Sequence, residues 1–300
     1  MFKTMAASYN ELMETKTYQK DEHAIIQGDA VNALQGIANN SVDLIFADPP
    51  YNIGKNFNGL KDKKPEREFL DWTYKWIELC IKKLKPSGSF YLMCSTQYMP
   101  YLDIYVREQL KMSVLSRIVW HYDSSGVQAK KYYGSMYEPI LFIVKDPKNY
   151  TFNGQDILVQ ARTGATRKLI DYRGGTPKPY NDKKVPGNVW EFPRVRYRMP
   201  EYEEHPTQKP IKLLERIIRA SSNEGDLVLD PFSGSFTTSY VAKMLNRKSI
   251  GIEISEEYVK IGLRRLEIAT HHEGEELKQP EKTFKPKRSS ASNQLGLEVA

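Results

Sequence analysis

Short apolar runs alternate with amphipathic stretches along most of the chain. Residues 24–28 (AIIQG) and 42–47 (VDLIFA) read as buried strands, and between them Val31, Leu34 and Ile37 fall at helical spacing over 29–38. A helix is expected over 69–84, carrying Trp72, Trp76, Leu79 and Leu84, and Pro86-Ser87-Gly88 ends it. A strand at 89–93 (SFYLM), a helix over 99–110 and strands at 114–122 and 138–145 (EPILFIVK) follow. Residues 149–204 break this texture: they lack helical periodicity and are rich in Gly, Pro, Arg and aromatic residues. From Pro210 the alternation resumes, with a helix over 211–220 that has Pro at its start, a strand at 227–229, a helix over 237–245, a strand at 249–254 and a helix over 256–269. Strands alternating with helices predict an α/β protein with a doubly wound, mostly parallel sheet. The chain divides into an N-terminal extension (1–20), a first half of the sheet (21–148), an insertion (149–204), a second half (205–272) and a Lys/Glu/Ser/Pro-rich tail (273–300) expected to be disordered.

In such a sheet, ligands sit outside the carboxyl ends of strands. Two predicted strand ends carry unusual chemistry. The first runs into Asp48-Pro49-Pro50-Tyr51. Two prolines stop both ladder and helix and hold a carboxylate, a backbone carbonyl and an aromatic ring in fixed relation. That set suits a planar base bearing an exocyclic amino group; the plainer reading is a turn with a capping Asp. The second runs into Asp230-Pro231-Phe232-Ser233-Gly234-Ser235, a small-residue turn at the start of a helix, where a ligand can approach the backbone. Glu253 ends the next strand, nineteen residues after Gly234, a spacing that suits a pair of ribose hydroxyls. No complete phosphate-gripping glycine motif is present, so an adenosine ligand without phosphates fits better than a nucleotide.

Charge widens this picture. Lys and Arg number 44 against 37 Asp and Glu, a net +7, which permits an acidic partner such as nucleic acid. Two cysteines, Cys80 and Cys94, cannot build a disulfide framework or a four-Cys metal site, and five scattered histidines have no metal spacing, so a metal-free protein is expected. No apolar run approaches the roughly eighteen residues of a membrane span, and the first ten residues lack the apolar core of a secretory signal. A cytoplasmic, nucleoid-associated protein is the expectation.

Through these motifs the chain resembles the amino-directed, S-adenosylmethionine-dependent DNA methyltransferases over roughly residues 23–272. D-P-P-Y at 48–51 matches the family's catalytic motif, with the leading Asp typical of adenine-N6 enzymes. D-P-F-S-G-S at 230–235 resembles the cofactor loop, and H-P-T-Q-K-P at 205–210 the segment before it. Asp29 matches the family acid that meets the cofactor adenine, and Glu253 the one on the ribose. The order, with the catalytic motif first and the cofactor loop last, is the circularly permuted order of the beta group, and DPPYNIGKNF and VPGNVWEFPRVRY look like its orphan adenine-specific members.

The resemblance implies a Rossmann-like fold, S-adenosylmethionine as cofactor, and transfer of a methyl group to adenine N6 in double-stranded DNA by base flipping. Asp48, Pro49, Pro50 and Tyr51 would be catalytic. Asp29, Asp48, Thr207, Lys209, Asp230, Phe232, Ser233, Gly234, Ser235 and Glu253 would bind the cofactor. Lys55 and Lys64 in the basic loop after the catalytic motif, Lys130 and Lys131 beside Tyr132 and Tyr133, and Arg194, Arg196 and Arg198 are candidate DNA contacts. If extended, the 194–198 run sends its three guanidiniums to one side, and the 149–204 insertion would read the target. Cytosine-N4 methylation and a catalytically silent, cofactor-sensing DNA-binding regulator are the alternatives; monomer and homodimer both stay open. Phe236 stands where the wider family often has Gly. A Phe takes positive φ only at a cost, so the turn is expected to close before it.

Overall fold

The computed structural model describes residues 15–57, 60–122, 130–161 and 167–280. Strands β1 (Lys16–Lys20) and β2 (His23–Gln27) form a hairpin, followed by α1 (Ala30–Gly36), β3 (Val42–Ala47), α2 (Glu66–Lys83) and β4 (Leu84–Met93). Next come α3 (Met99–Ile104), β5 (Ser113–His121), β6 (Tyr137–Val144) and β7 (Val189–Glu191). The chain then runs through α4 (Ile211–Ser221), β8 (Leu227–Asp230), α5 (Thr237–Met244), β9 (Lys248–Glu253) and α6 (Glu256–Arg265). One nine-stranded sheet has the order β1-β2-β9-β8-β3-β4-β6-β5-β7. Its centre, β2-β9-β8-β3-β4, is parallel, β6 is antiparallel to both neighbours, and β7 adds parallel to β5.

Helices cover both faces of the sheet. In α2, Phe69, Thr73, Trp76, Ile77 and Cys80 repeat every three or four residues and are buried, while Glu66 and Glu68 open the helix and Lys82 and Lys83 close it, as its dipole favours. With α1 and α3 this stripe packs on Ile45, Ala47, Phe90 and Leu92. On the other face, Leu213, Leu214, Ile217 and Ile218 of α4 and Val241 and Ala242 of α5 pack on Leu44, Phe46, Tyr91 and Val228. Each Leu, Ile, Val or Phe side chain among them contributes about 1.5–3 kcal/mol when taken out of water, before entropy is charged against it.

The topology decides where the site lies. β8 and β9 from late in the chain insert between β2 and β3. The two halves read from the sequence therefore interleave in one sheet rather than forming separate lobes. Leu229 of β8 pairs with Ile45 of β3, so the chain leaves both strands at the same edge, toward Asp48 and Asp230.

Several boundaries differ from expectation. The N-terminal extension supplies β1, the edge strand, whose ladder runs from Lys16–Gln27 to Lys20–His23. The insertion is not outside the sheet: Val189–Glu191 pairs with β5, Trp190 and Phe192 are buried in the core, and the Trp120 indole donates to the Phe192 carbonyl at 2.9 Å. The rest of it carries two short ladders, Val159–Gln160 with Lys183–Lys184 and Ile170–Asp171 with Lys178–Pro179. The expected helix over 99–110 is α-helical only to Ile104 and continues as a π-helical turn, Tyr105–Gln109. The last helix stops at Arg265, and a hairpin pairs His271–His272 with Glu275–Glu276, so structure extends past 272. Phe236 is the sharpest departure. It caps α5 with φ +57°, in the left-handed region. That conformation costs about 1–3 kcal/mol. The ring is fully buried, and a Cβ at Gly251 or Gly262 would approach it to 2.7 or 2.6 Å. Two glycines clear the niche, and burial of the ring offsets the strain.

Candidate active site

Four parallel strands end on one pocket of about 870 Å³. After β2 come Gly28 and Asp29; after β3, Asp48 to Tyr51; β8 leads into Asp230 to Ser235; β9 ends at Glu253. Phe69 and Trp72 of α2 form an apolar wall, with the Trp72 and Phe232 rings 5.7 Å apart.

The β8–α5 turn is built for close backbone approach. Gly234 has φ +50°, and a Cβ there would lie 2.7 Å from the His205 ring. Burial, then the cations Lys209 and Lys55, push the His205 imidazole down to about 3, so it is neutral at physiological pH. Glu253 holds the turn: its carboxylate accepts from the Gly234 amide and the Ser255 amide, each at 2.8 Å. Burial raises it above its ordinary value, against the backbone amides that pull it down. Asp230 is buried and accepts from Thr238 Oγ1 at 2.5 Å and the Phe232 amide at 3.0 Å, and burial pushes it up to about 7. Asp29 caps α1 by accepting from the Asn32 amide at 3.1 Å. A carboxylate has about four lone-pair sites, so Asp29 and Glu253 keep acceptor capacity toward the pocket. Ser95 also lines the pocket. This acceptor-rich, amide-walled cleft fits the adenosine of S-adenosylmethionine better than a phosphate.

The Asp48 end is a network. Tyr51 Oη lies 2.6 Å from Asp48 Oδ1 and 2.9 Å from Glu138 Oε2, on β6. Lys209 Nζ donates to Asp48 Oδ2 and, at 3.1 Å, to the Thr207 carbonyl, and stands 3.9 Å from Glu138. Burial alone would lower the Lys209 ammonium, but Asp48 and Glu138 outweigh it and hold it above its ordinary value. Burial, then Asp48 and Glu138, raise the Tyr51 phenol well above its usual value, so it stays protonated.

Lys209 was expected on the cofactor; the structure puts its ammonium on Asp48, because residues 205–210 run between the two strand ends. Thr207, Phe232, Ser233, Gly234 and Ser235 all line the pocket, and Phe236 does not. Sequence reasoning missed Glu138, Tyr122 and Trp72. An acid near the start of an otherwise apolar strand was the available signal for Glu138.

The cationic candidates divide. Lys55, Lys64 and Arg194 line the pocket, and Asn52 accepts from the Lys64 amide at 2.6 Å and donates to the Tyr98 hydroxyl at 3.1 Å. Lys130 and Lys131 are exposed next to exposed Tyr132 and Tyr133; residues 123–129 before them lie outside the described residues. The three arginines do not share one side. Arg194 lies 5.1 Å from the Tyr122 ring, Arg196 and Arg198 are exposed, and Arg198 has φ +78° within a turn. The extended run fails because that turn reverses the chain. Cys80 and Cys94 are buried, and burial pushes the Cys94 thiol up to about 12, which makes a poor nucleophile. Away from the pocket, ligand atoms of Glu256, His272 and Glu273 lie within 4.8 Å of one another, a grouping the histidine spacing did not reveal. Lys260 and Lys16 stand 3.9 and 3.7 Å from its two glutamates and already supply positive charge there.

Fold and pocket together define a methyltransferase-type α/β domain with a permuted order of motifs, and comparison with known proteins agrees. The profile of the DNA methylase family matches residues 42–264, and the chain belongs to that family. It is 60% identical over 269 residues to the DNA adenine methyltransferase YhdJ of Escherichia coli K12, covering 90% of this chain and 91% of that one. It is 39% identical to the type II methyltransferase M.HpaI of Haemophilus parainfluenzae, covering 82% and 74%. Among solved structures, an M1.HpyAVI complex with S-adenosylmethionine is similar at 28% identity and TM-score 0.53, covering 80% of this chain and 98% of that one. The cytosine-N4-specific PvuII DNA methyltransferase shares the fold at TM-score 0.64 and 20% identity, covering 83% and 87%.

Proposed function

We propose that this chain transfers a methyl group from S-adenosylmethionine to N6 of an adenine swung out of double-stranded DNA, with both ligands in the pocket between the β3 and β8 ends. The observation that carries this reading is the adjacency of those two strands, which puts the D-P-P-Y turn and the Gly234 turn in one cavity. The 60% identity to an enzyme named as a DNA adenine methyltransferase supports the choice of base.

Asp29 and Glu253 would hold the cofactor's adenosine, with the backbone at Ser233–Gly234 alongside. The cofactor supplies an electrophilic methyl group on a sulfonium. The chain supplies orientation and electrostatics. Adenine N6 is a weak nucleophile because its lone pair is delocalised into the ring. Asp48 and the Pro49 carbonyl each accept one N6–H and direct the lone pair toward the donor. Stacking on Tyr51 contributes about 1–3 kcal/mol toward the few kcal/mol that extrusion costs. Lys55, Lys64 and Arg194 at the pocket wall meet phosphates flanking the extruded base, and Lys130 and Lys131 meet the backbone farther out. Arg196, Arg198 and the exposed part of 149–204 read the target sequence. Such a protein works where DNA is, at the nucleoid.

Incubation with labelled S-adenosylmethionine and mixed-sequence duplex DNA, followed by hydrolysis and nucleoside chromatography, tests this. Label in N6-methyladenine is expected. Label in N4-methylcytosine, or none in DNA, overturns the reading.

A further inference from the structure

We infer that Glu138 is the proton acceptor of the reaction, reached from the target base through Asp48 and the Tyr51 hydroxyl. This rests on the adenine-N6 reading. The starting observation is a count of protons. Tyr51 Oη makes two short contacts with carboxylate oxygens, 2.6 Å to Asp48 and 2.9 Å to Glu138, and has one hydrogen to place between them. A row of three oxygens spaced for two hydrogen bonds takes up one more proton without rearranging.

The reaction produces that proton. When N6 is methylated, its lone pair becomes the new carbon–nitrogen bond, the carbon–sulfur pair stays on sulfur, and N6 is left with one hydrogen too many. That hydrogen passes to Asp48. As Asp48 hands it to Tyr51 Oη, the original Tyr51 hydrogen moves to Glu138 Oε2. Asp48 and Tyr51 return to their starting states, and Glu138 becomes a neutral acid. The charge that arrived as a sulfonium leaves as a proton.

Lys209 gives the relay its direction. Its ammonium is in hydrogen-bond contact with Asp48 and 3.9 Å from Glu138, so it opposes a proton on Asp48 more than one on Glu138. Tyr51 stays protonated between two acids, which suits a neutral relay and not a base. Glu138 also shares a hydrogen bond with the Tyr122 phenol and faces Lys55, while Arg194 lies over the Tyr122 ring at the same pocket wall. Glu138 sits within the β5–β6–β4 part of the sheet, paired opposite Trp120, so its position does not depend on a mobile loop. It acts through Tyr51 and is a positioning and proton-accepting residue, not a group that touches the base.

The test uses the full chain with two duplexes, one carrying adenine at the target for the methylation rate and one carrying 2-aminopurine there for base extrusion. Glu138→Gln keeps shape and removes the acceptor; Tyr51→Phe keeps the stacking ring and removes the bridge. For both, cofactor affinity and the fluorescence rise on base extrusion are expected within twofold of wild type, while the single-turnover methylation rate falls about a hundredfold. Glu138→Asp should recover part of that loss. The double variant should be no more than about threefold slower than either single one, because both cut the same relay. A Glu138→Gln rate within threefold of wild type, losses that multiply in the double variant, or a parallel loss of cofactor binding would each overturn the assignment. Wild-type protein that methylates no adenine would instead sink the underlying reading.

Discussion

Asp48 is engaged on both oxygens, by Tyr51 on one and Lys209 on the other. An entering amino group therefore meets an already oriented carboxylate. Asp48→Ala should slow methyl transfer by about a thousandfold while cofactor affinity changes no more than a few-fold, since removal of one aligned group at the reacting centre costs on the order of 10²–10³ in rate. Single-turnover kinetics and calorimetric titration check the two halves of that statement, and a variant retaining most of its rate would contradict the role. Asp230 makes a different prediction. Its carboxyl is raised from 3.8 to about 7 by burial. Folding therefore favours its protonated form. That stabilisation is complete below the unfolded value, near 4, and is lost as pH rises toward 7. Asp230→Asn mimics the neutral acid. Its unfolding free energy relative to wild type should climb between pH 4 and pH 8, at roughly 1 kcal/mol per pH unit in mid-window. A difference that stays flat across this range would reject a protonated Asp230.

At the scale of elements, the β8–α5 turn and β7 carry most of the new information. Gly234 combines positive φ with a side chain's worth of space already taken by His205. Gly234→Val should weaken cofactor binding about tenfold or more, measured directly on the free protein; unchanged affinity would remove this turn from the site. Trp190 on β7 is buried against the core beside the Arg216 guanidinium, 5.1 Å from its ring. Trp190→Ala should cost about 3–5 kcal/mol in denaturant unfolding. A loss under 1 kcal/mol would mean that β7 is a surface appendage. Why the sequence hid these elements is physical. The central strands are mostly apolar because both faces are covered, and two of them, β3 and β8, run into Asp-Pro. β1 (KTYQK) is an edge strand, largely exposed, and so has no apolar run to read. β7 is three residues long, and only its partner β5 makes it a strand. Phe236 reads as a poor left-handed residue until Gly251 and Gly262, 15 and 26 positions away, are seen to make room for its ring. Glu138 looks like the polar start of a strand because Tyr51, its partner, lies 87 residues earlier.

At the scale of the molecule, the interleaved topology makes one site from distant segments. The motifs at 48–51, 230–235 and 253 were legible as chemistry and 205–210 through the family resemblance alone; their meeting was an expectation until the strand order placed β8 directly beside β3. The net charge of +7 adds an attraction for DNA that salt should screen. The central claim is spatial: one cavity takes the methyl donor on the β8–β9 side and an extruded adenine on the β3 side. A crystal structure with an unreactive cofactor analogue and an adenine-containing duplex tests it most directly. The account predicts the analogue's ribose on Glu253 and the adenine N6 between Asp48 and the Pro49 carbonyl, facing the sulfur position. An adenine left stacked in the duplex, or an analogue bound away from the Gly234 turn, would contradict it.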